Sequence, residues 1–442
     1  MSRWGRFQIS TFQIIVFGFA GLILVGTLLL MLPISTYLPG GATLGDSLFT
    51  ATSAVCVTGL VVRDTATYWS PFGQTVILLL IQVGGMGVVT VAVSIFYLSG
   101  RKIGLMQRST MQEAISAPQV GGIVRLTGFI LRATVVIELL GAALLAPAFC
   151  RELGLGRGLC YALFHSISAF CNAGFDLMGV KGPFSSLTSF RASPLVNLTI
   201  MALIVVGGLG FLTWDDIWAN RFTLKKYRVQ SKVILLTSGV LIILPALCFF
   251  VLEFRDLPLG ERVLTSLFQS VTTRTAGFNT AELGAMSQGG QLLMLLLMLV
   301  GGAPGSTAGG MKVTTLAALI LAARAVFRQK ADVEVLGRRL PDSVVRHAVA
   351  LLLLYLGLFL GGGLLLCRVE GLPLLTCLFE TASAIGTVGL TLGITGRLGV
   401  VSRGVLILLM FFGRVGGLTL IHAFSGQRPI QGTLPLEKIT VG

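Results

Sequence analysis

The segment LFTATSAVCVTGL, residues 48–60, decides how this sequence is read, because its pattern occurs four times. Each copy begins with Leu-Phe, carries Ser or Thr four residues after the Phe, and reaches a lone Gly followed by Leu or Phe. The other copies are LFHSISAFCNAGF (163–175), LFQSVTTRTAGF (267–278) and LFETASAIGTVGL (378–390). The third is one residue shorter between its Phe and its Gly, which we expect to alter its local geometry. A spacing of roughly 110 residues is too long for a solenoid.

A second signature accompanies the first in every copy. It reads QVGGMGVVT (82–90), VVGGLGFLT (205–213), LVGGAPGST (299–307) and FFGRVGGLT (411–419). In each copy an apolar stretch precedes the first motif, and a second apolar stretch carries the second signature. We call the short segment that contains the first motif the pore segment. Two signatures in register predict an all-α protein of four span–pore helix–span repeats, with eight transmembrane helices. Because all copies run in the same direction, the repeats are expected to surround a pseudo-fourfold pore, unlike the inverted repeats of many secondary transporters.

Composition places the chain in a membrane. Of its 442 residues 54% are hydrophobic and 12% are charged, about half the charged share of a soluble domain. Apolar stretches such as residues 11–32 exceed the roughly 20 residues that cross a bilayer core. The net charge of +15 does not indicate nucleic-acid binding, since the basic residues cluster between alternate spans. The clusters are Arg3 and Arg6; Arg101, Lys102 and Arg108; Arg221, Lys225, Lys226, Arg228 and Lys232; and Arg324, Arg328, Lys330, Arg338, Arg339 and Arg346.

These clusters also predict the topology. The positive-inside rule places them in the cytoplasm, so both termini are expected there and the pore segments enter from outside. The predicted divisions are repeat 1 at residues 1–100 with pore segment 44–60; repeat 2 at 101–222 with pore segment 158–175; repeat 3 at 223–328 with pore segment 260–278; repeat 4 at 329–424 with pore segment 372–390; and a cytoplasmic tail at 425–442.

Four half-helices that end in Gly-containing turns suit cation binding. Non-helical backbone at membrane depth is tolerated where it is buried or lines a watery cavity, and rings of carbonyl oxygens replace the hydration shell of a monovalent cation. The negative ends of the half-helices also favour a cation. The predicted selectivity filter is Val57, Thr58 and Gly59; Asn172, Ala173 and Gly174; Thr275, Ala276 and Gly277; and Thr387, Val388 and Gly389.

The chain resembles the Trk/Ktr/HKT superfamily of cation transporters over nearly its whole length. The motifs TRTAGFNT (273–280), GGAPGSTAGGMK (301–312) and GRVGGLT (413–419) carry the resemblance, which is strongest to KtrB-type membrane subunits of bacterial Ktr systems. It implies potassium uptake through the plasma membrane, a homodimer, and a cytoplasmic ring of KtrA-type RCK subunits that binds ATP or ADP. No cofactor is expected, because K⁺ is the substrate, and activation by Na⁺ stays open.

The glycine-rich stretch at residues 301–312 has an alternative interpretation as a phosphate-binding loop. That motif needs Ser or Thr after its Lys and a preceding strand, whereas Val313 follows Lys312 inside a predicted span. Since repeats one and two carry no such extension, we expect the helix to break in repeat three alone. The segment is interpreted as a flexible intramembrane gate near Arg414. Its predicted gate residues are Gly301, Gly302, Pro304, Gly305, Ser306, Thr307, Gly309, Gly310, Lys312 and Arg414.

Arg414 stands where the other repeats have Gly85, Gly208 and Gly302. An unpaired Arg in a bilayer costs at least about 2.5–3.5 kcal/mol, so we expect it to face the pore below the filter, with snorkelling to the cytoplasmic interface as the alternative. Other intramembrane charges receive weaker assignments. Glu138 is expected to pack through a hydrogen bond, Arg274 to form a salt bridge behind the filter, and Asp46 and Glu380 to attract cations at the outer mouth or to cap helices.

Competing functions remain within and beyond the ion-pore class. A sodium-preferring pathway is the main alternative, although Gly at all four filter positions resembles potassium-selective members and the Ser of sodium-preferring plant relatives is absent. A transporter of small organic solutes is the second. An enzyme is not expected, since no nucleophile elbow or HExxH motif occurs. The seven cysteines and three histidines show no metal-ligand spacing, so no metal site beyond monovalent cations is predicted.

Overall fold

The structure is a computed structural model that describes residues 10–92, 104–114, 122–221 and 223–424. Arg3, Arg6, Arg101, Lys102 and the predicted tail at 425–442 lie outside these residues, as does the predicted boundary at 100–101. The described part is almost entirely helical; its one sheet pairs Glu334–Val335 with Arg338–Arg339. The predicted all-α membrane fold is confirmed, while the exact repeat boundaries stay predictions.

Four long helices form the first span of each repeat. They are Thr11–Leu30, Ile123–Leu153, Val229–Leu252 and Asp342–Glu370. Each is long and apolar enough to cross a bilayer, and each exposes a large share of its apolar side chains, as a lipid-facing helix does. The first one starts in a capping box, in which Ser10 and Gln13 each accept the backbone N–H of the other through their side chains.

The second spans are all broken at the same place in their signature. They consist of Pro71–Met86 followed by helical residues 88–92, Pro194–Gly208 with Phe211–Asn220, Gln288–Met298 with Val313–Phe327, and Val400–Val415 with Gly417–Phe424. Among the described residues, four helices are long and apolar enough to cross a membrane, or six when the pairs bent by 98° and 91° each count as one span. The shorter apolar helices of repeats one and three are the remaining second spans of the predicted eight.

The prediction that only the third repeat breaks its helix is therefore wrong. Gly87, Gly210 and Gly416 interrupt the other three second spans, each with φ between 86° and 89°. This left-handed backbone is open to glycine and costly for other residues. Pro304 occupies the corresponding place in repeat three, and there the interruption extends over residues 299–312. The third repeat differs in the length of its break, not in having one.

The pore helices are short and end inside the molecule. They are Leu44–Val55, Leu155–Phe170, Leu259–Thr272 and Leu374–Gly386. The last three residues of each are buried, as is the Ser or Thr of the repeated motif. Since each half-helix is surrounded by protein, the non-helical backbone that follows it avoids contact with lipid, as the bilayer requires.

The remaining elements connect these repeats. Helix Leu105–Ala114 lies before the first span of repeat two, and the short helix Thr65–Tyr68 follows the first pore segment. Three-residue 3₁₀ turns occupy Pro33–Ser35, Met178–Val180, Thr188–Phe190, Leu224–Lys226, Leu283–Ala285 and Thr395–Arg397. The outer connections are well packed, because Leu187, Trp69 and Met178 are almost completely buried.

Candidate ion pathway

A residue one to three positions beyond the end of each pore helix has an unusual backbone conformation. Val57, Asn172, Thr275 and Thr387 have φ between 51° and 69°, a region that non-glycine residues and above all β-branched ones rarely occupy. Two residues later the glycines of the motif also have positive φ. They are Gly59 (85°), Gly174 (67°), Gly277 (82°) and Gly389 (93°). The same strained three-residue pattern thus occurs at all twelve positions of the predicted filter.

Backbone hydrogen bonds explain how three of these helices close. The N–H of Thr58 donates to the carbonyl of Ser53 (2.8 Å) and the N–H of Val57 to that of Ala54 (3.1 Å). This is the Schellman arrangement, which requires a left-handed residue directly after the helix cap. Repeats two and four make the same pair of bonds. The chain is therefore turned toward the axis by the helix end itself.

The third repeat reaches the same conformation by a shorter closure. There the N–H of Ala276 donates to the carbonyl of Thr272 at 2.9 Å, four residues back instead of five. The motif LFQSVTTRTAGF is one residue shorter than the other three. The tighter turn accommodates this difference, because Thr275 still has the left-handed conformation. The local geometry changes behind the filter segment and not within it.

The four segments lie against one another in a closed ring. A Cβ atom on Gly59 would lie 2.4 Å from the carbonyl oxygen of Ala173, and one on Gly174 would lie 2.7 Å from that of Ala276. A Cβ atom on Gly277 would lie 2.4 Å from the carbonyl oxygen of Val388, and one on Gly389 would lie 2.2 Å from that of Thr58. Each glycine thus abuts the middle carbonyl of the next repeat, in the order one, two, three, four, one. Sequence spacing alone could not establish this contact.

Hydroxyl groups of the pore helices hold the chain beyond the filter segments. Ser168 Oγ donates to the carbonyl of Phe175 (2.7 Å), and Thr272 Oγ1 donates to that of Phe278 (2.5 Å). In repeat four, Ser383 Oγ accepts the N–H of Gly389 (3.0 Å). These residues are not among the predicted site residues. The signal was present, since Ser or Thr recurs at this position in all four copies.

The 301–312 loop is non-helical, as predicted, and is anchored at both ends. The N–H of Gly301 donates to the carbonyl of Met311 (2.7 Å), and the N–H of Val313 donates to that of Gly302 (3.0 Å). Next to these, the N–H of Ala303 donates to the carbonyl of Gly208 in repeat two (2.9 Å). Most of the loop is buried. Its backbone polar groups are satisfied largely by protein in this conformation.

The loop touches the ends of two filter segments. Thr307 Oγ1 donates to the carbonyl of Phe170 (2.9 Å) and accepts from Asn172 Nδ2 (3.0 Å). A Cβ atom on Gly309 would lie 2.1 Å from Thr387 Oγ1, so only glycine fits there without displacement. Asn172 and Thr387 are the left-handed residues of filter segments two and four. The loop therefore lies directly beneath the ring.

Arg414 joins this loop to the first repeat. Its guanidinium donates to the carbonyl of Thr307 through Nη1, and to those of Gly84 (2.5 Å) and Gly85 (2.8 Å) through Nη2. Lys312 Nζ donates to the carbonyl of Ala308 within the loop at 2.8 Å. Both side chains line a cavity of about 250 Å³ below the ring. The predicted gate residues are thus brought together, and Arg414 points into the protein.

Comparison with known proteins agrees with this arrangement. The model of the TrkH family, described as cation transport protein, matches residues 10–431. The chain belongs to the TrkH family. The potassium/sodium uptake protein NtpJ of Enterococcus hirae is 38% identical, over 100% of this chain and 99% of its own length. The Ktr system potassium uptake protein B of Bacillus subtilis is 39% identical, over 96% of this chain and 94% of its own.

A solved structure supports the fold of this TrkH-family chain. The potassium transporter TrkH from Vibrio parahaemolyticus superimposes with a TM-score of 0.74 at 22% identity, covering 96% of this chain and 87% of the other. At that identity the likeness concerns the fold. Together with the apolar spans, the family match establishes an integral membrane protein that transports cations, and both relatives named above are uptake proteins.

Four other charged residues of this family member have predicted roles and can be placed by their contacts. Arg274 is buried with Nε and Nη1 unpartnered, so the salt bridge expected for it is not formed among the described residues. Asp46 pairs with Arg63 and Arg403, each at 3.0 Å. Glu380 accepts hydrogen bonds from Thr391 and Thr395, and Glu138 accepts one from Gln82 at 3.3 Å, as the packing assignment expected.

Proposed function

We propose that this chain is a potassium-selective translocation subunit for cation uptake. The observation that carries the proposal is the ring of four segments, each with the same left-handed, ordinary, left-handed backbone pattern. In an extended strand successive carbonyl groups point in alternate directions. Left-handed residues at the first and third positions of a segment turn its successive carbonyls toward one side. Four such segments present carbonyl oxygens to a common axis, where they replace the hydration shell of a monovalent cation.

The pore helices add to this effect. The four helix axes end at the ring, so each contributes a partial negative charge near the cation. The relatives' names support the cargo, since one is called a potassium/sodium uptake protein and others Ktr system potassium uptake proteins. Glycine at all four filter positions favours K⁺ because no side chain narrows the ring. A sodium-preferring pathway is the alternative that the first of these names favours.

We further propose that the 301–312 loop and Arg414 form the gate. Arg414 places a fixed positive charge below the ring, where it opposes a cation, and its bonds to Thr307, Gly84 and Gly85 hold the loop across the pathway. Opening would require these bonds to break together. Because the charged group and the loop are coupled, one movement would clear both the obstruction and the electrostatic barrier.

Control of this gate is proposed to come from other subunits. The names of three relatives refer to a Ktr system, which implies further components. We propose a homodimer in the bacterial plasma membrane, with both termini in the cytoplasm and a KtrA-type RCK ring that binds ATP or ADP beneath it. The basic cytoplasmic loops supply a surface for such a ring. Activation by Na⁺ is proposed as a further property.

Flux measurements test the cargo. The purified chain in proteoliposomes is expected to pass radioactive rubidium, a potassium substitute, much faster than radioactive sodium. The ring geometry predicts this order because carbonyl cages suit the larger, more easily dehydrated ion. Empty liposomes provide the control. Sodium that passes as fast as rubidium would contradict potassium selectivity and support the alternative, and uptake of an organic solute without rubidium flux would overturn the ion-pathway assignment.

A further inference from the structure

A lateral groove of about 960 Å³ lies away from the pathway, between the two spans of repeat two. One wall is the first half of helix Ile123–Leu153, and the other is formed by Val206, Leu209 and helix Phe211–Asn220. The second span turns by 98° before Phe211–Asn220, so this helix runs nearly across the direction of the span. The bend at Gly210 is what opens the groove.

The walls of the groove are apolar and aromatic. Trp214 is almost completely buried and donates its indole N–H to the carbonyl of Val206 at 2.9 Å. Trp218 is 77% exposed, and its ring lies 6.2 Å from that of Phe129. Tryptophan concentrates at membrane–water interfaces, where its ring sits at headgroup level. An exposed Trp on a helix lying across the span direction therefore indicates the membrane interface.

Two arginines line this otherwise apolar groove. Arg125 and Arg132 are exposed, lie seven residues apart, and so occupy one face of the helix about 10 Å apart along its axis. No carboxylate among the described residues lies within salt-bridge distance of either one. The nearby acids are engaged elsewhere: Asp215 pairs with Arg228 (3.6 Å), and Asp216 accepts the N–H of Arg228 (2.8 Å).

The depth of these arginines matches the phosphate layer of a bilayer. Residues 133–150, between Arg132 and Arg151, extend for about 27 Å of helix, close to the roughly 30 Å thickness of a hydrocarbon core. Arg132 thus lies at one boundary of the core, and Arg125 lies further into the headgroup region. The basic clusters assign this end of the span to the cytoplasm.

We propose that the groove binds one anionic phospholipid of the inner leaflet. Its phosphate accepts hydrogen bonds from Arg125 and Arg132, and an acyl chain lies along the apolar wall beside Val136 and Trp218. Guanidinium groups match phosphate oxygens in charge and geometry. Basic pockets between transmembrane helices on the cytoplasmic side are suited to anionic headgroups. The lipid would also fill the space that the bent second span leaves open.

Tryptophan quenching in proteoliposomes tests this proposal. Either phosphatidylglycerol or phosphatidylcholine with brominated acyl chains is mixed into neutral lipid. The fluorescence of Trp218 is obtained as the difference between the unmodified chain and Trp218→Phe. Each arginine is expected to contribute about fivefold to relative binding, so brominated phosphatidylglycerol should quench at a mole fraction about 25-fold lower than brominated phosphatidylcholine. In the double variant R125Q/R132Q the two lipids should quench equally.

Arg151→Gln is the matched control, since this exposed arginine lies at the opposite end of the same helix. It should keep the preference for phosphatidylglycerol. Equal quenching by both lipids in the unmodified chain would overturn the proposal, as would a preference that survives in R125Q/R132Q. Absence of quenching by either lipid would show that protein covers the groove, in this chain or a second copy, and would also overturn it. Rubidium flux and elution as a single species establish that the variants are folded.

Discussion

Val57 and Thr387 are β-branched residues held at positive φ, and each conformation of this kind costs about 1–3 kcal/mol. The surroundings impose it. The carbonyls at the helix ends accept the hydrogen bonds that fix the turn, and both residues are almost completely buried. Strain that is retained in four equivalent places indicates that the orientation of the backbone, and not its stability, is the useful property of these residues.

Gly59→Ser should reduce the selectivity of the pathway. A Cβ atom at this position would meet the carbonyl of Ala173 at 2.4 Å, so segments one and two must separate or rotate. The ratio of rubidium to sodium flux is expected to fall about tenfold, equivalent to about 1.4 kcal/mol. Gly45→Ser in the pore helix of the same repeat is the control, because a Cβ there meets nothing within 4 Å. An unchanged ratio in Gly59→Ser would count against the filter assignment.

The 301–312 loop shows how an interrupted helix is stabilised. Its ends bond to each other, its middle bonds to repeats two and four, and Arg414 clamps it to repeat one. These contacts hold it in this conformation, and the flexibility that its composition predicts stays a prediction. The five glycines of this loop allow its backbone segments to pack closely against each other: a Cβ on Gly301 would lie 2.1 Å from the carbonyl oxygen of Gly309.

Deletion of residues 305–309 should raise rubidium flux in the absence of any partner. The deletion removes the carbonyl of Thr307 that Arg414 contacts and the residues beneath the ring. We expect an increase of about tenfold or more, if closure is worth at least about 1.4 kcal/mol. The measurement is initial uptake into proteoliposomes that contain the chain alone.

A single substitution tests the gate with less risk of unfolding the chain than the deletion. Gly309→Ala should also raise flux, since its Cβ would collide with Thr387 Oγ1 and unseat the loop. Gly289→Ala, near the start of the same second span, is the control because its nearest contact would be 3.6 Å away. Low flux in both the deletion and Gly309→Ala, from chains that elute as folded species, would contradict the gate.

At the scale of the whole molecule, a ring of four covalently linked repeats has one seam without a connecting chain. It lies between repeats four and one. Asp46 on the first pore helix is 2% exposed and bonds to Arg63 of its own repeat and to Arg403 of repeat four, each at 3.0 Å. The residue expected to attract cations or cap a helix thus closes the ring.

Asp46→Asn should therefore lower stability. Removing one partner of a buried ion pair costs several kcal/mol, whereas Arg63 and Arg403 are partly exposed and can be solvated; we expect about 2 kcal/mol. The apparent unfolding temperature in detergent should fall by several degrees. Asp332→Asn breaks an exposed pair with Arg339 and should change it little. Equal unfolding temperatures for Asp46→Asn and the unmodified chain would contradict a stabilising seam.

The sequence by itself determined the class, the four repeats, the pore segments and the site of the third break. These are local properties, because apolar length, periodic glycines and basic loops depend on neighbours along the chain. Tertiary structure alone decided the ring contacts, the breaks at Gly87, Gly210 and Gly416, and the partners of Arg414, which lie 107 and 330 residues away. It also decided that Nε and Nη1 of Arg274 find no partner among the described residues. Which carbonyl meets which glycine or guanidinium depends on packing between distant repeats, and no short pattern encodes that.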